Sequence, residues 1–125
     1  LIDTVTAALN RKRAVERTLA FEDKGRARTY EIQEGIIPFF MHRERGIHLD
    51  EPDITIDGRP VPAAILGTAL TLYHAGRAQI ERGQGVYWYV PKLESVEEAA
   101  FYREFIDFSI ELFQIIGIHR SSFRG

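Results

Sequence analysis

Between residues 36 and 116 the chain alternates short, β-prone apolar runs with long helical patterns. That order constrains the fold more than any other feature. Ile36-Ile-Pro-Phe-Phe-Met41 is a nearly continuous apolar run, as a strand buried on both faces requires. Pro38 is awkward within it, because proline offers no N–H to a central ladder. Ala64, Ile65, Leu66, Ala69, Leu70, Leu72, Tyr73, Ala78 and Ile80 then recur at helical spacing. They predict a helix over 62–82, with Pro62 in its first turn and Gly83 as its stop. Val86-Tyr-Trp-Tyr-Val90 is a second β-prone run, bounded by Gly85 and Pro91. Ser95-Val-Glu-Glu98 has the S-x-x-E form of a capping box. It opens a helix marked by Ala99, Ala100, Phe101, Phe105, Phe108, Leu112, Phe113 and Ile116, which Gly117 ends; Phe101, Phe105, Phe108 and Phe113 read as core side chains. Strand, helix, strand, helix implies parallel strands joined by crossovers, with helices covering the sheet.

The remainder fits around this unit. Ile2, Val5, Ala8, Leu9, Lys12, Val15 and Leu19 predict an amphipathic helix over 3–19. Lys24-Gly-Arg26 marks a turn, and Arg28 to Gln33 alternates as a strand exposed on one face does. Ile54-Thr-Ile-Asp-Gly58 reads as a short extended piece ending in a turn. The tail 118–125 is too short to assign. The reading is therefore α/β, with residues 1–35 as a leading helix and strand and 36–125 as βαβα units. A full (β/α)8 barrel takes about 250 residues, so these units are expected to be a partial TIM barrel, incomplete as given. The chain starts at Leu1 and stops at Gly125 without an end signal, and it is expected to be a piece of a longer protein.

Composition narrows the function classes. There is no cysteine, which removes disulfides, thiolate metal sites and a cysteine nucleophile. Sixteen Lys+Arg against eighteen Asp+Glu give a net charge of −2, so overall charge gives no reason to expect nucleic acid or an anionic membrane as partner. No apolar run approaches the ~20 residues of a membrane span, and no leader pattern opens the chain; a cytoplasmic location is expected, with a peroxisomal address left open. The one local charge excess lies between Arg11 and Arg28, seven basic residues against Glu16, Glu22 and Asp23. It reads first as a solvated helix face, with a polyanion site as the rival reading.

In parallel α/β folds, ligands bind at the carboxyl ends of strands. Two stretches meet that condition: Met41 to Glu51 after the first strand, and Pro91 to Ser95 after the second. Arg43 and Arg45 alternate, so in an extended segment they share one side. Their guanidinium forks suit a carboxylate, a phosphate or a developing enolate oxygen; the competing reading pairs them with Glu44, Asp50 or Glu51. Lys92 and Glu94 alternate likewise, with a mutual ion pair or service to the next helix N-terminus as the competing reading. His42 and His48 lie near Asp50 and Glu51, but their spacing fits no zinc signature. His74 reads as a partly buried helix residue and His119 is unassigned. Tyr87-Trp-Tyr89 reads as packing, with little basic charge near it for stacked bases.

These stretches also resemble a known family, malate synthase, particularly its shorter A-type form. Arg43-Glu-Arg-Gly-Ile-His-Leu-Asp-Glu51 is similar to the family's R-x-R-G-x-H-L-x-E segment. Thr55-Ile-Asp-Gly-Arg-Pro-Val-Pro-Ala63 is similar to its extended piece that ends in D-G and leads into a long helix. Tyr87-Trp-Tyr-Val-Pro-Lys-Leu-Glu-Ser95 is similar to its Y-x-Y-x-P-K-M-E-S strand end. Leu93 replaces the usual Met, and Ala64 and Gly67-Thr68 depart from the S-I/L-x-D-F helix entry. The resemblance implies an acyltransferase of the glyoxylate bypass that condenses acetyl-CoA with glyoxylate and water to malate and CoA, with Mg2+ as cofactor. It implies Arg43 as the catalytic arginine and Arg45, Lys92 and Glu94 as substrate-binding candidates. It places the catalytic base and the metal ligands beyond Gly125, so that no metal site falls in this chain and the piece alone is expected to be inactive. The rival readings are a Mg2+-dependent acyl-CoA lyase of the citrate-lyase β-subunit type and a non-catalytic interaction module. The oligomeric state is not fixed.

Overall fold

The structure is a computed structural model that describes residues 2–36, 38 and 40–115, with the backbone alone for 113–115. Phe113 as a core side chain, Ile116, the Gly117 stop, His119 and the tail lie outside the described residues, as do Ile37 and Phe39 of the first apolar run. In chain order the elements are α1 (Ile2–Glu16), β1 (Ala20–Asp23), β2 (Arg28–Glu31), β3 (Met41–Arg43), β4 (Asp50–Ile56), β5 (Arg59–Pro62), α2 (Ala63–Thr71), a π-helical turn (Leu72–Gly76), α3 (Arg77–Glu81), β6 (Tyr87–Tyr89) and α4 (Val96–Ile115).

The parallel arrangement expected from the element order is present. β3 pairs with β6 in parallel, Met41 opposite Tyr87, His42 opposite Trp88 and Arg43 opposite Tyr89. The crossover between them carries α2, the π turn and α3. Two antiparallel hairpins complete the set, β1 with β2 and β4 with β5. The architecture is thus mixed α/β around one parallel pair, and among the described residues the sheet is not closed.

The first strand lies later than the apolar run predicts. Ile36 is fully exposed, Pro38 is exposed, and pairing begins only at Met41. Proline removes the donor a ladder needs, so the strand forms from the residues beyond it. Arg43, expected just past the strand, is its last residue.

Helix α1 ends three residues before the expected boundary. Arg17 adopts φ 63°, and the N–H of Thr18 returns to Arg13 O at 2.8 Å, the left-handed closure normally given to glycine. The following Ala20–Asp23 strand carries no clear period in sequence. At the next turn Asp23 Oδ1 accepts from the N–H groups of Gly25 and Arg26 at 3.0 and 3.2 Å, an Asx turn. Asp57 and Gly58 have φ of 51° and 74°, as a two-residue type I′ hairpin demands; the extended piece before them is β4, and β5 is its return strand.

The helical run over 63–81 matches the predicted helix, with Pro62 at its start and Gly83 at φ 69° after its end. Its interruption by the π turn has no counterpart in the periodicity. Ala63, Ala64, Gly67, Thr68, Thr71, Leu72, Ala75, Gly76, Ala78 and Gln79 are buried. The run packs against α1, which contributes buried Ala8, Ala14 and Val15. Small side chains on both helices permit close approach. Gln79, fully buried, bridges this seam: it accepts from Arg11 Nε at 3.3 Å and donates to Gly85 O at 3.4 Å.

Helix α4 opens as the S-x-x-E pattern predicts. Ser95 Oγ accepts from Glu98 N–H at 3.1 Å, and the Glu98 carboxylate accepts from Glu94 N–H at 2.6 Å. Its packing corrects the sequence reading. Phe101 and Phe108, expected in the core, are 43% and 62% exposed. The helix instead lays Tyr102, Phe105 and Ser109 over Thr68, Leu72, Val86 and Trp88, around an apolar cavity of about 190 Å³.

Candidate functional site

The ends of β3 and β6 create the site. Because the two strands are parallel, the residues that follow them emerge at the same end of the sheet. Arg43, Glu44, Arg45, Gly46, His48, Leu49, Pro91 and Lys92 line one open polar groove of about 320 Å³ there. Sequence reasoning placed Arg43, Arg45 and Lys92 at strand ends, and the structure brings all three together. His48, weighed only as a metal ligand, joins them.

The cations differ in what holds them. Arg45 Nη2 donates to Glu51 Oε2 at 3.1 Å, and the Glu51 side chain is only 6% exposed. The β4–β5 hairpin therefore fixes Arg45 through a buried carboxylate, one of the partners weighed from sequence. Arg43 has no carboxylate partner among the described residues. Its guanidinium carbon lies 5.5 Å from the centre of the Tyr89 ring, its cross-strand neighbour, a cation–π contact that orients the group without neutralising it.

Lys92 and Glu94 do not share a side as the alternation predicts. The strand ends at Tyr89, and Lys92 takes φ 55°, a left-handed conformation that costs a non-glycine residue roughly 1–2 kcal/mol. Lys92 turns to the groove while Glu94 does not line it; the Glu94 N–H is engaged by Glu98. Strain stored at the end of a strand is a common mark of a functional position.

On the helix side of β3, Glu44 reaches from the groove's edge to Gly67 of α2. His42 and Glu44 alternate with Arg43 and pair with each other. Thr71 Oγ1 lies 3.3 Å from His42 Nε2, and Trp88 meets the His42 ring edge-on at 6.1 Å. Glu44 Oε2 also accepts from Arg45 N–H at 3.3 Å. The charge of Glu44 reaches two further groups. Burial pushes the Arg11 guanidinium down to about 10, against the pull of Glu44, so it remains charged at neutral pH. Burial and then Glu44 raise the Tyr102 phenol above its ordinary value. Glu44 was weighed in sequence only as a counter-ion for the arginines. Its place between them in an extended segment is the signal that turns its carboxylate toward α2, while it still borders the groove.

His48 lines the groove while His42 meets Thr71 and Trp88 instead, and His74, half-buried, stacks edge-on with Tyr73 at 5.0 Å. Among the described residues there is no group of three or more His, Asp or Glu side chains able to hold a metal ion. Among them, too, no helix is long and apolar enough to cross a membrane. The basic stretch 11–28 is dispersed. Arg11 is in the helix seam, Arg13 binds Asn10, Lys12 and Arg26 pair with Glu16 and Asp23, Arg17 binds the carbonyls of Gln33 and Gly35, and Arg28 lies over Tyr30.

Residues 39–125 match the family model for the malate synthase TIM barrel domain. Among curated proteins, the chain is 34% identical over 120 residues to the glyoxysomal malate synthase of Gossypium hirsutum, covering 94% of this chain and 20% of that protein. It is 31% identical over 122 residues to the glyoxysomal malate synthase of Candida tropicalis, covering 97% and 22%. The malate synthase of Myxococcus xanthus is 33% identical over 102 residues, covering 82% and 18%. The chain spans about a fifth of the length of these relatives. The two strand-end motifs, the parallel pair that aligns them and the match over 39–125 lead to one conclusion: the chain belongs to the malate synthase family.

Proposed function

We propose that the chain is part of the catalytic barrel of a malate synthase, an acyltransferase that condenses acetyl-CoA with glyoxylate and water to malate and CoA. In this reading β3 and β6 are neighbouring strands of a (β/α)8 barrel. The acetyl methyl is a weak acid, so its deprotonation needs strong donors aimed at the carbonyl oxygen where negative charge develops. The enolate carbon then bonds to the glyoxylate carbonyl carbon, and water cleaves the resulting thioester to release CoA.

The observation that carries the reading is Arg43, a guanidinium with no carboxylate partner among the described residues, held over Tyr89 at the carboxyl end of a parallel strand pair. It is the candidate enolate stabiliser. Lys92, and Arg45 held by Glu51, add positive charge to the same groove and suit the anionic substrates; Glu94 is the weakest of the four candidates, since it lies outside the groove's lining. Mg2+ belongs to the reading as a cation that polarises glyoxylate, bound by carboxylates other than those described. The piece alone is proposed to be inactive, and the whole enzyme to act in the cytoplasm or in a glyoxysome-like compartment.

In the whole enzyme Arg43→Lys should lower the rate of malate formation by about 10²-fold or more, because an ammonium keeps the charge but loses the planar fork. A coupled assay of CoA release reads it. Turnover like that of the unmodified enzyme would remove Arg43 from the catalytic site and with it the main support for the reading.

A further inference from the structure

We infer that Glu44 is a positioning residue, locked into helix α2 at Gly67, that fixes the backbone on which Arg43 is carried. The inference rests on the catalytic reading of Arg43. Glu44 is charged, one residue from Arg43, and its side chain is only 10% exposed. A carboxylate so placed must find donors, since an unpaired buried charge costs several kcal/mol. It finds them on both sides of Arg43: His42 Nε2 before it, and the backbone N–H of Arg45 after it at 3.3 Å. One side chain, itself at the groove's edge, thus ties down the residues flanking the catalytic candidate.

The space it occupies is made by a missing side chain. Gly67 is buried in α2, and a Cβ built there would overlap the Glu44 carboxyl group. Gly67 has an ordinary helical setting, so its φ does not explain why glycine is used in a helix interior, where it is less favourable than alanine. Room for Glu44 does. Position 67 is also one of the places where the helix entry departs from the pattern the rest of the chain resembles. Thr71, one turn further along the helix, closes the arrangement on His42 at 3.3 Å.

The consequence is mechanical: the orientation of Arg43 is set from α2 as well as from β3 and Tyr89. In the whole enzyme Glu44→Ala should lower kcat about 10-fold or more with KM for both substrates within about 2-fold, as misplacing a transition-state donor does. Glu44→Gln, which keeps an acceptor for Arg45 N–H, should restore kcat to within about 3-fold of wild type. Gly67→Ala displaces the carboxylate and should reproduce the Glu44→Ala loss, and the double variant should lose no more than either single one. Wild-type kcat in Glu44→Ala, or a double variant whose loss is the product of the single losses, overturns the inference. Should Glu44→Ala fail to fold, wild-type kcat in Gly67→Ala overturns it equally. If Arg43→Lys is inactive while Glu44→Ala is not, the positioning role falls and the catalytic reading stands. If Arg43→Lys is fully active, both fall.

Discussion

The helical run over 63–81 and helix α4 are both apolar helices following a strand, yet they use their apolar residues in opposite ways. The first buries alanine, glycine and threonine, and presents few large side chains to the seam with α1. The second carries Phe101, Phe108 and Leu112 at 43–62% exposure and buries only a narrow line through Tyr102 and Ser109. Apolar content therefore does not report packing. The size of the residues does: small ones mark a contact already closed, and large ones mark a face left exposed among the described residues. The catalytic candidate is braced by the closed side.

Three substitutions test that contrast. The largest effect belongs to Ala75→Leu, where a fully buried methyl in the π turn becomes a side chain with nowhere to go. Overpacking of this kind costs about 1–3 kcal/mol, and a chemical-denaturation midpoint close to wild type would mean the seam is looser than its geometry indicates. Next comes Ser95→Ala, which removes the Oγ that accepts from Glu98 N–H; ~1 kcal/mol is the usual loss for such a cap. Unchanged thermal stability would show that α4 is held by packing rather than by its start. The smallest is Phe108→Ser. On the 125-residue chain it should change stability by no more than about 0.5 kcal/mol, as substitutions at exposed positions do. A loss of several kcal/mol in a melting experiment would break the comparison by showing that this face is covered.

The sequence was most legible where a residue's chemistry dictates its backbone. Pro62 and Gly83 frame the helical run, Asp57-Gly58 makes the hairpin turn, and Ser95 with Glu98 opens α4. The parallel order followed from the alternation of elements. What stayed hidden depends on tertiary context. Arg17 and Lys92 adopt left-handed φ without being glycine, so neither the closure of α1 nor the turn of Lys92 away from the strand direction has a residue signature. Pro38 delays the first strand, which moved Arg43 from a loop into a ladder. Among site residues, Arg43, Arg45 and Lys92 were found by position at strand ends. Glu44 was missed as a positioning candidate because a glutamate between two arginines reads as their counter-ion, and only strand alternation turns it toward Gly67.

The π turn at Leu72–Gly76 has a consequence for comparing relatives by length. Such a turn arises when a helix accommodates one surplus residue without breaking, and each α-helical residue advances the wheel by about 100°. A relative with an unbroken α-helix here would be one residue shorter between the counterparts of Ala63 and Gly83, yet would present matching faces at both ends. Aligned without a gap, its residues beyond the turn would be compared with neighbours rotated by about 100°, and fully buried Gln79 would be set against the counterpart of half-buried Ile80. A single-residue gap within 72–76 is the alignment that keeps the faces in phase.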